Sequence, residues 1–81
     1  MLEKLYGSQI RAARALLRWS AADLAEACSL GANTIRRAEL TDDETSMTAA
    51  NDLAVRRALE AAGVEFIDKN GGGPGVRLRS R

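Results

Sequence analysis

The segment Ser20–Glu39, SAADLAEACSLGANTIRRAE, carries the most structural information in the chain. Ser20 followed three residues later by Asp23 is a shortened capping box, so a helix is predicted over about 21–28. Leu24 and Cys28 share one face of it, and Ala25 is small enough for another backbone to approach. Ser29-Leu30-Gly31 interrupts the pattern. Gly31 is an acceptable N-cap for a further helix over about 32–40, with Ile35 and Ala38 facing inward. Two short helices with a three-residue break is a specific arrangement.

Upstream, Ile10, Ala13 and Leu17 recur at three- and four-residue steps, which predicts a helix over about 8–18 with Ser8 as its cap. Arg11, Arg14 and Arg18 spread around its other faces, and Leu16 and Trp19 are expected to close the core. Leu2 and Leu5 read either as an added helical turn or as a packed arm. Downstream, TDDETS (41–46) is an acidic loop, followed by a helix over about 48–62 with Leu53, Val55, Ala58, Leu59 and Ala62, which Gly63 closes. Alternation in Val64–Ile67 and Val76–Arg79, separated by NGGGPG, predicts a β-hairpin over about 64–79. That loop lacks the Lys-Ser/Thr of a phosphate-binding loop and opens no helix, so it is read as a turn. A lone hairpin is marginal in water, so it must lie on the helices, on another chain, or both. Phe66 and Ile67 point to opposite faces; with Val76 and Leu78 they are the expected dimer seam, and the fourth helix is the substitute.

An 81-residue chain is expected to form one domain, and 46% apolar residues with only 4% aromatics make its core thin and aliphatic. The net charge of +1 conceals a pattern. Residues 1–40 carry six basic and four acidic groups, 41–63 two and five, and 64–81 four and two. With no His and only Cys28, a His/Cys zinc site, a Ser-His-Asp triad and a CxxC pair are excluded; no metal or cofactor is expected. No apolar run approaches the roughly 20 residues of a membrane span, and MLEKLYGSQ lacks a signal peptide's apolar stretch. A cytoplasmic protein without membrane contact is expected.

Residues 20–39, with Leu24, Ala25, Cys28, Leu30 and Asn33 through Glu39, resemble the helix-turn-helix of the Cro-type (XRE) repressor family. Ile10 through Ser20 is similar to that family's first helix, and the likeness covers about half the chain. Gly63-Val64-Glu65-Phe66 and Gly73-Pro74-Gly75-Val76 are similar to a set of small bacterial regulators bearing the same motif. The implied fold is mostly α: a lambda-repressor-like bundle of four or five short helices plus the hairpin. The resemblance also implies an ion pair between Arg14 and Glu39, structural in role.

The outer face of the third helix holds Ala32, Asn33, Arg36 and Arg37, with Thr34 beside the helix junction. Asn33 and Arg37 are neighbours at four-residue spacing, and Asn reads adenine and Arg guanine in the major groove. These five residues are the expected base readers; the bland alternatives are a solvated arginine face and a local turn at Asn33. Departures from the family are Ala21 where many members have Gln, Ser29 for the turn Gly, and Asp42-Asp43-Glu44 where a phosphate-contacting loop is often Lys- or Gly-rich. They predict weaker, more salt-sensitive binding per monomer. Phosphate contacts are assigned to Ser20 with the amides that follow it, and to Arg11 and Arg18. The tail Arg77–Arg81 is either a further source or a solubilising terminus.

The expected function is a sequence-specific transcription regulator, a repressor binding double-stranded DNA as a homodimer on an inverted repeat and controlling its own gene. Control is expected from concentration, operator competition or a protein partner. The alternative is a protein-binding module, an antitoxin or antiactivator, which the near-neutral charge, acidic loop and apolar hairpin also fit. No enzyme or small-molecule substrate is expected: no nucleophile–base pair is suggested and the core is too small for an enclosed pocket.

Overall fold

The computed structural model describes residues 4–69 and 71–79. Four helices, α1 (Gly7–Leu17), α2 (Ala21–Cys28), α3 (Ala32–Ala38) and α4 (Ala49–Ala61), precede an antiparallel hairpin of β1 (Val64–Ile67) and β2 (Gly75–Leu78). The molecule is mostly α, and α2 spans the residues expected of it. Helix α1 begins one residue earlier than expected and α4 one later, and α1, α3 and α4 end one or two residues short, because capping residues lie outside them.

Each helix end has a local cause. Tyr6, not Ser8, is the N-cap of α1: Gln9 reaches back and accepts from the Tyr6 N–H at 3.0 Å. Ser8 sits inside the first turn and donates to the Asp42 carbonyl. At α2 both halves of the capping box form, Ser20 Oγ accepting from Asp23 N–H at 3.0 Å and Asp23 Oδ2 from Ser20 N–H at 2.9 Å. Helices α1 and α2 both end on a left-handed non-glycine residue, Arg18 at φ 57° and Ser29 at φ 59°. Gly31 precedes α3, Thr48 Oγ1 caps α4 through Asn51 N–H, and Gly63 at φ 106° turns the chain out of α4.

Leu5, Ile10, Leu24, Ile35, Val55, Leu59 and Val64 form the fully buried, aliphatic centre. Ala13, Ala25 and Ala38 let the helices approach, while Trp19, Leu17, Leu30 and Phe66 pack around the margin. Leu16 does not close the core: it is 41% exposed. Six residues after Ile10 it lies about 120° around the helix from the buried stripe. Burial pushes the Cys28 thiol up from its ordinary value, so it stays protonated among apolar neighbours.

Residues 4–6 form a packed arm rather than a helical turn; Leu2 lies outside the described residues. Tyr6 bridges Glu44, Thr45 N–H donates to the Leu5 carbonyl, and Gly7 N–H donates to the Asp43 carbonyl. The arm and loop meet on Asp52 of α4, which is 6% exposed. Its carboxylate accepts from Thr45 Oγ1 at 2.7 Å and Leu5 N–H at 3.4 Å, and pairs with Lys4 at 2.9 Å.

The hairpin lies on the helices, β2 against α1 and β1 against α4. Val64 pairs with Leu78 and Phe66 with Val76, so these four share a face, and buried Val64 marks it as the inner one. Glu65, Ile67 and Arg77 lie on the outer face, with Arg77 paired to Glu65 at 2.8 Å. The four expected seam residues therefore do not form one surface. Phe66 and Val76 pack against the core, Phe66 beneath the Arg56 guanidinium, and only Leu78 at the rim and Ile67 on the outer face are left to meet another molecule. The buried Gln9 amide donates to the Gly75 carbonyl at 3.2 Å and the Ile67 carbonyl at 3.5 Å, fastening the hairpin's open end to α1.

Candidate nucleic-acid interface

Helix α3 has two unlike sides. Ile35 and Ala38 are buried against the core, whereas Asn33, Arg36 and Arg37 are exposed. Ala32 and Thr34 are half-buried, so the helix's open face belongs chiefly to the other three. At residues 33, 36 and 37 the angular separations are about 60° and 40°, which puts the three side chains on one strip. Asn33 does not engage Arg37. Instead Arg36 Nη1 donates to Asn33 Oδ1 at 3.1 Å, an i,i+3 hydrogen bond.

The orientation of α3 is held by Arg14. Its Nε and Nη2 donate to the two Glu39 carboxylate oxygens at 2.7 and 2.8 Å, and its Nη1 donates to the Trp19 carbonyl at 2.9 Å. One guanidinium thus ties α1, the α1–α2 junction and the end of α3 together. Its hydrogen bonds to Glu39 raise the guanidinium further above its ordinary value, against the opposing effect of burial.

The basic residues separate into two groups. Lys4, Arg11, Arg14, Arg56 and Arg77 are each paired with a carboxylate. Among the described residues, Arg18, Arg36, Arg37, Arg57, Lys69 and Arg79 have no carboxylate partner within 4.0 Å. Of those six, Arg36 and Arg37 are adjacent on α3, which itself carries no acidic residue.

Arg11, expected to meet phosphate, is engaged within the molecule instead of standing free. It donates to the Glu39 and Thr41 carbonyls and to the Asp42 carboxylate, binding down the loop that follows α3. The chain needs this cation there because the loop's carbonyls and Asp42 converge on it. Arg18 is exposed beside Ser20. The Ser20 oxygen is occupied as a cap, and its hydroxyl proton remains for an acceptor. Asp43 and Glu44 are exposed on the same loop, and Leu40, directly after α3, is 85% exposed. Sequence periodicity gave no sign of Leu40's exposure, because α3 ends two residues before it. Arg77 and Arg79 lie in β2 and just after it; Arg79 donates to the Glu60 carbonyl, and Arg81 lies outside the described residues.

Among the described residues no group of three or more His, Cys, Asp or Glu side chains is placed to hold a metal ion, and no helix is long and apolar enough to cross a membrane. No family model matches the chain, and no curated protein does.

Proposed function

We propose that this protein is a sequence-specific DNA-binding regulator in which α2 and α3 form a helix-turn-helix of the lambda-repressor-like kind and α3 enters the major groove. The observation that carries the reading is the α3 strip of Asn33, Arg36 and Arg37: exposed, cationic, and without a carboxylate among the described residues. Two adjacent exposed arginines without a carboxylate, on a helix that carries no acidic residue and is held by the Arg14–Glu39 pair, are suited to a polyanion. Ser20 with the first amides of α2, and Arg18, supply phosphate contacts that set the register. The role is non-enzymatic and cytoplasmic, and needs no cofactor. One α3 reads only a few base pairs, so a homodimer on an inverted repeat supplies the specificity, with the hairpin as the seam through Leu78 and Ile67. Repression by covering a promoter, including the protein's own, is the simplest mechanism.

The second reading is a protein-binding module, favoured by the exposure of Leu40 next to Asp43 and Glu44. Selection of bound duplexes from a randomised pool, followed by fluorescence anisotropy across a salt series, separates the two. The DNA reading expects an enriched inverted repeat, half-sites about 10 base pairs apart, and a log–log salt slope of several ions. Asn33→Ala with Arg37→Ala should weaken binding at least about tenfold with the far-UV spectrum unchanged. Equal, weak binding to all duplexes overturns the reading; loss of function on Leu40→Ser with the α3 variants intact would establish the second.

A further inference from the structure

We propose that Arg36 orients Asn33 so that the α3 face reads guanine rather than adenine; this rests on the DNA-binding reading above. Asparagine recognises adenine with both ends of its amide, the oxygen accepting from N6–H and the nitrogen donating to N7. In this structure the Asn33 oxygen is the acceptor of an Arg36 N–H at 3.1 Å. One of that oxygen's two lone pairs is thus taken, and the cationic guanidinium beside it opposes the approach of a second N–H donor such as adenine's amino group, while the amide's two N–H donors stay free. Arg36 keeps its other N–H donors, and Arg37 adds five more. Thr34, the nearest hydroxyl on the helix, is half-buried.

The strip is therefore dominated by donors. Each base presents a different edge to it in the major groove. Adenine shows a donor beside its acceptor and cytosine shows a donor, so each sets N–H against N–H. Guanine shows two adjacent acceptors, O6 and N7, and thymine shows one. Two adjacent acceptors match a pair of neighbouring donors best, so guanine is selected at the base pairs under Asn33 and Arg36. The Arg36–Asn33 hydrogen bond also holds both side chains before DNA arrives, which lowers the ordering cost of contact. Asn33 is thus a specificity residue that acts in the orientation Arg36 imposes.

The test compares duplexes selected from one randomised pool by the unaltered protein, Arg36→Ala and Asn33→Ala. Both substituted residues are exposed, and matching far-UV spectra and melting curves establish that the variants fold. The unaltered protein should enrich guanine at the α3 positions, and replacing that guanine with 7-deazaguanine, which lacks the N7 acceptor, should weaken binding about tenfold. Arg36→Ala should still select a motif, with one guanine changed to adenine as the amide oxygen loses the cation beside it. An adenine in the unaltered protein's motif that Asn33→Ala loses and Arg36→Ala keeps overturns this inference while leaving DNA reading intact. A pool with no enriched motif overturns both.

Discussion

Among the described glycines, Gly7 has the tightest surroundings. A Cβ at that position would lie 1.9 Å from the Thr41 carbonyl oxygen and 2.7 Å from that of Ala38. Both are main-chain atoms, so the end of α3 and its loop would have to move. Gly7→Ala should cost at least about 2 kcal/mol. That corresponds to roughly 10 °C in melting temperature for a domain this size, measurable by circular dichroism. A melting point unchanged within a degree or two would show that α1 and α3 are not held this closely. Nothing local in the sequence distinguishes a glycine needed for close approach, such as Gly7, from one in a turn. Gly63, by contrast, was legible, since it follows a helical pattern directly.

At the scale of the elements, the helix ends decide where α3 points. Ser29 adopts φ 59° at the end of α2, and its N–H bonds the Ala25 and Glu26 carbonyls. That conformation crowds a Cβ against the backbone, and glycine avoids the crowding. Ser29→Gly should raise stability by about 0.5–1 kcal/mol, seen as a higher urea midpoint with an unchanged m-value. A lower midpoint would mean that the Ser29 side chain makes a stabilising contact outweighing the strain. The Ser20–Asp23 box was readable because capping is local in sequence. The replacement of Ser8 by Tyr6 at α1 was not, because there the cap's partner is the Gln9 side chain, which also fastens the hairpin 58 and 66 residues away.

For the whole molecule, Asp52 is where the N-terminal arm, the loop after α3 and α4 are joined. Lys4 contributes an ion pair on a partly exposed side chain, and such pairs stabilise by less than about 1 kcal/mol. The Thr45 hydroxyl and Leu5 N–H are buried and depend on the same carboxylate. Leaving them without an acceptor costs their desolvation, about 1–3 kcal/mol each. Asp52→Ala should therefore destabilise by about 2–4 kcal/mol, and Lys4→Ala by less than about 1 kcal/mol, in urea titrations. Equal effects would mean that the ion pair, not the buried hydrogen bonds, holds the arm. Because the same loop follows α3, loss of Asp52 should also loosen the support of the proposed recognition face.

Local chemistry in the sequence determined the element order, the α2 cap, the turn at Gly63, the hairpin and the two-sided character of α3. These depend on capping residues, on spacing of apolar side chains and on glycine, all acting within a few positions of one another. Tertiary structure alone decided which charges are engaged. It committed Arg11 to Asp42 and two carbonyls, turned Phe66 and Val76 inward, and left Leu16 and Leu40 in solvent. The reason is physical: a charged or apolar side chain takes its role from the groups that surround it, and those arrive from segments tens of residues away.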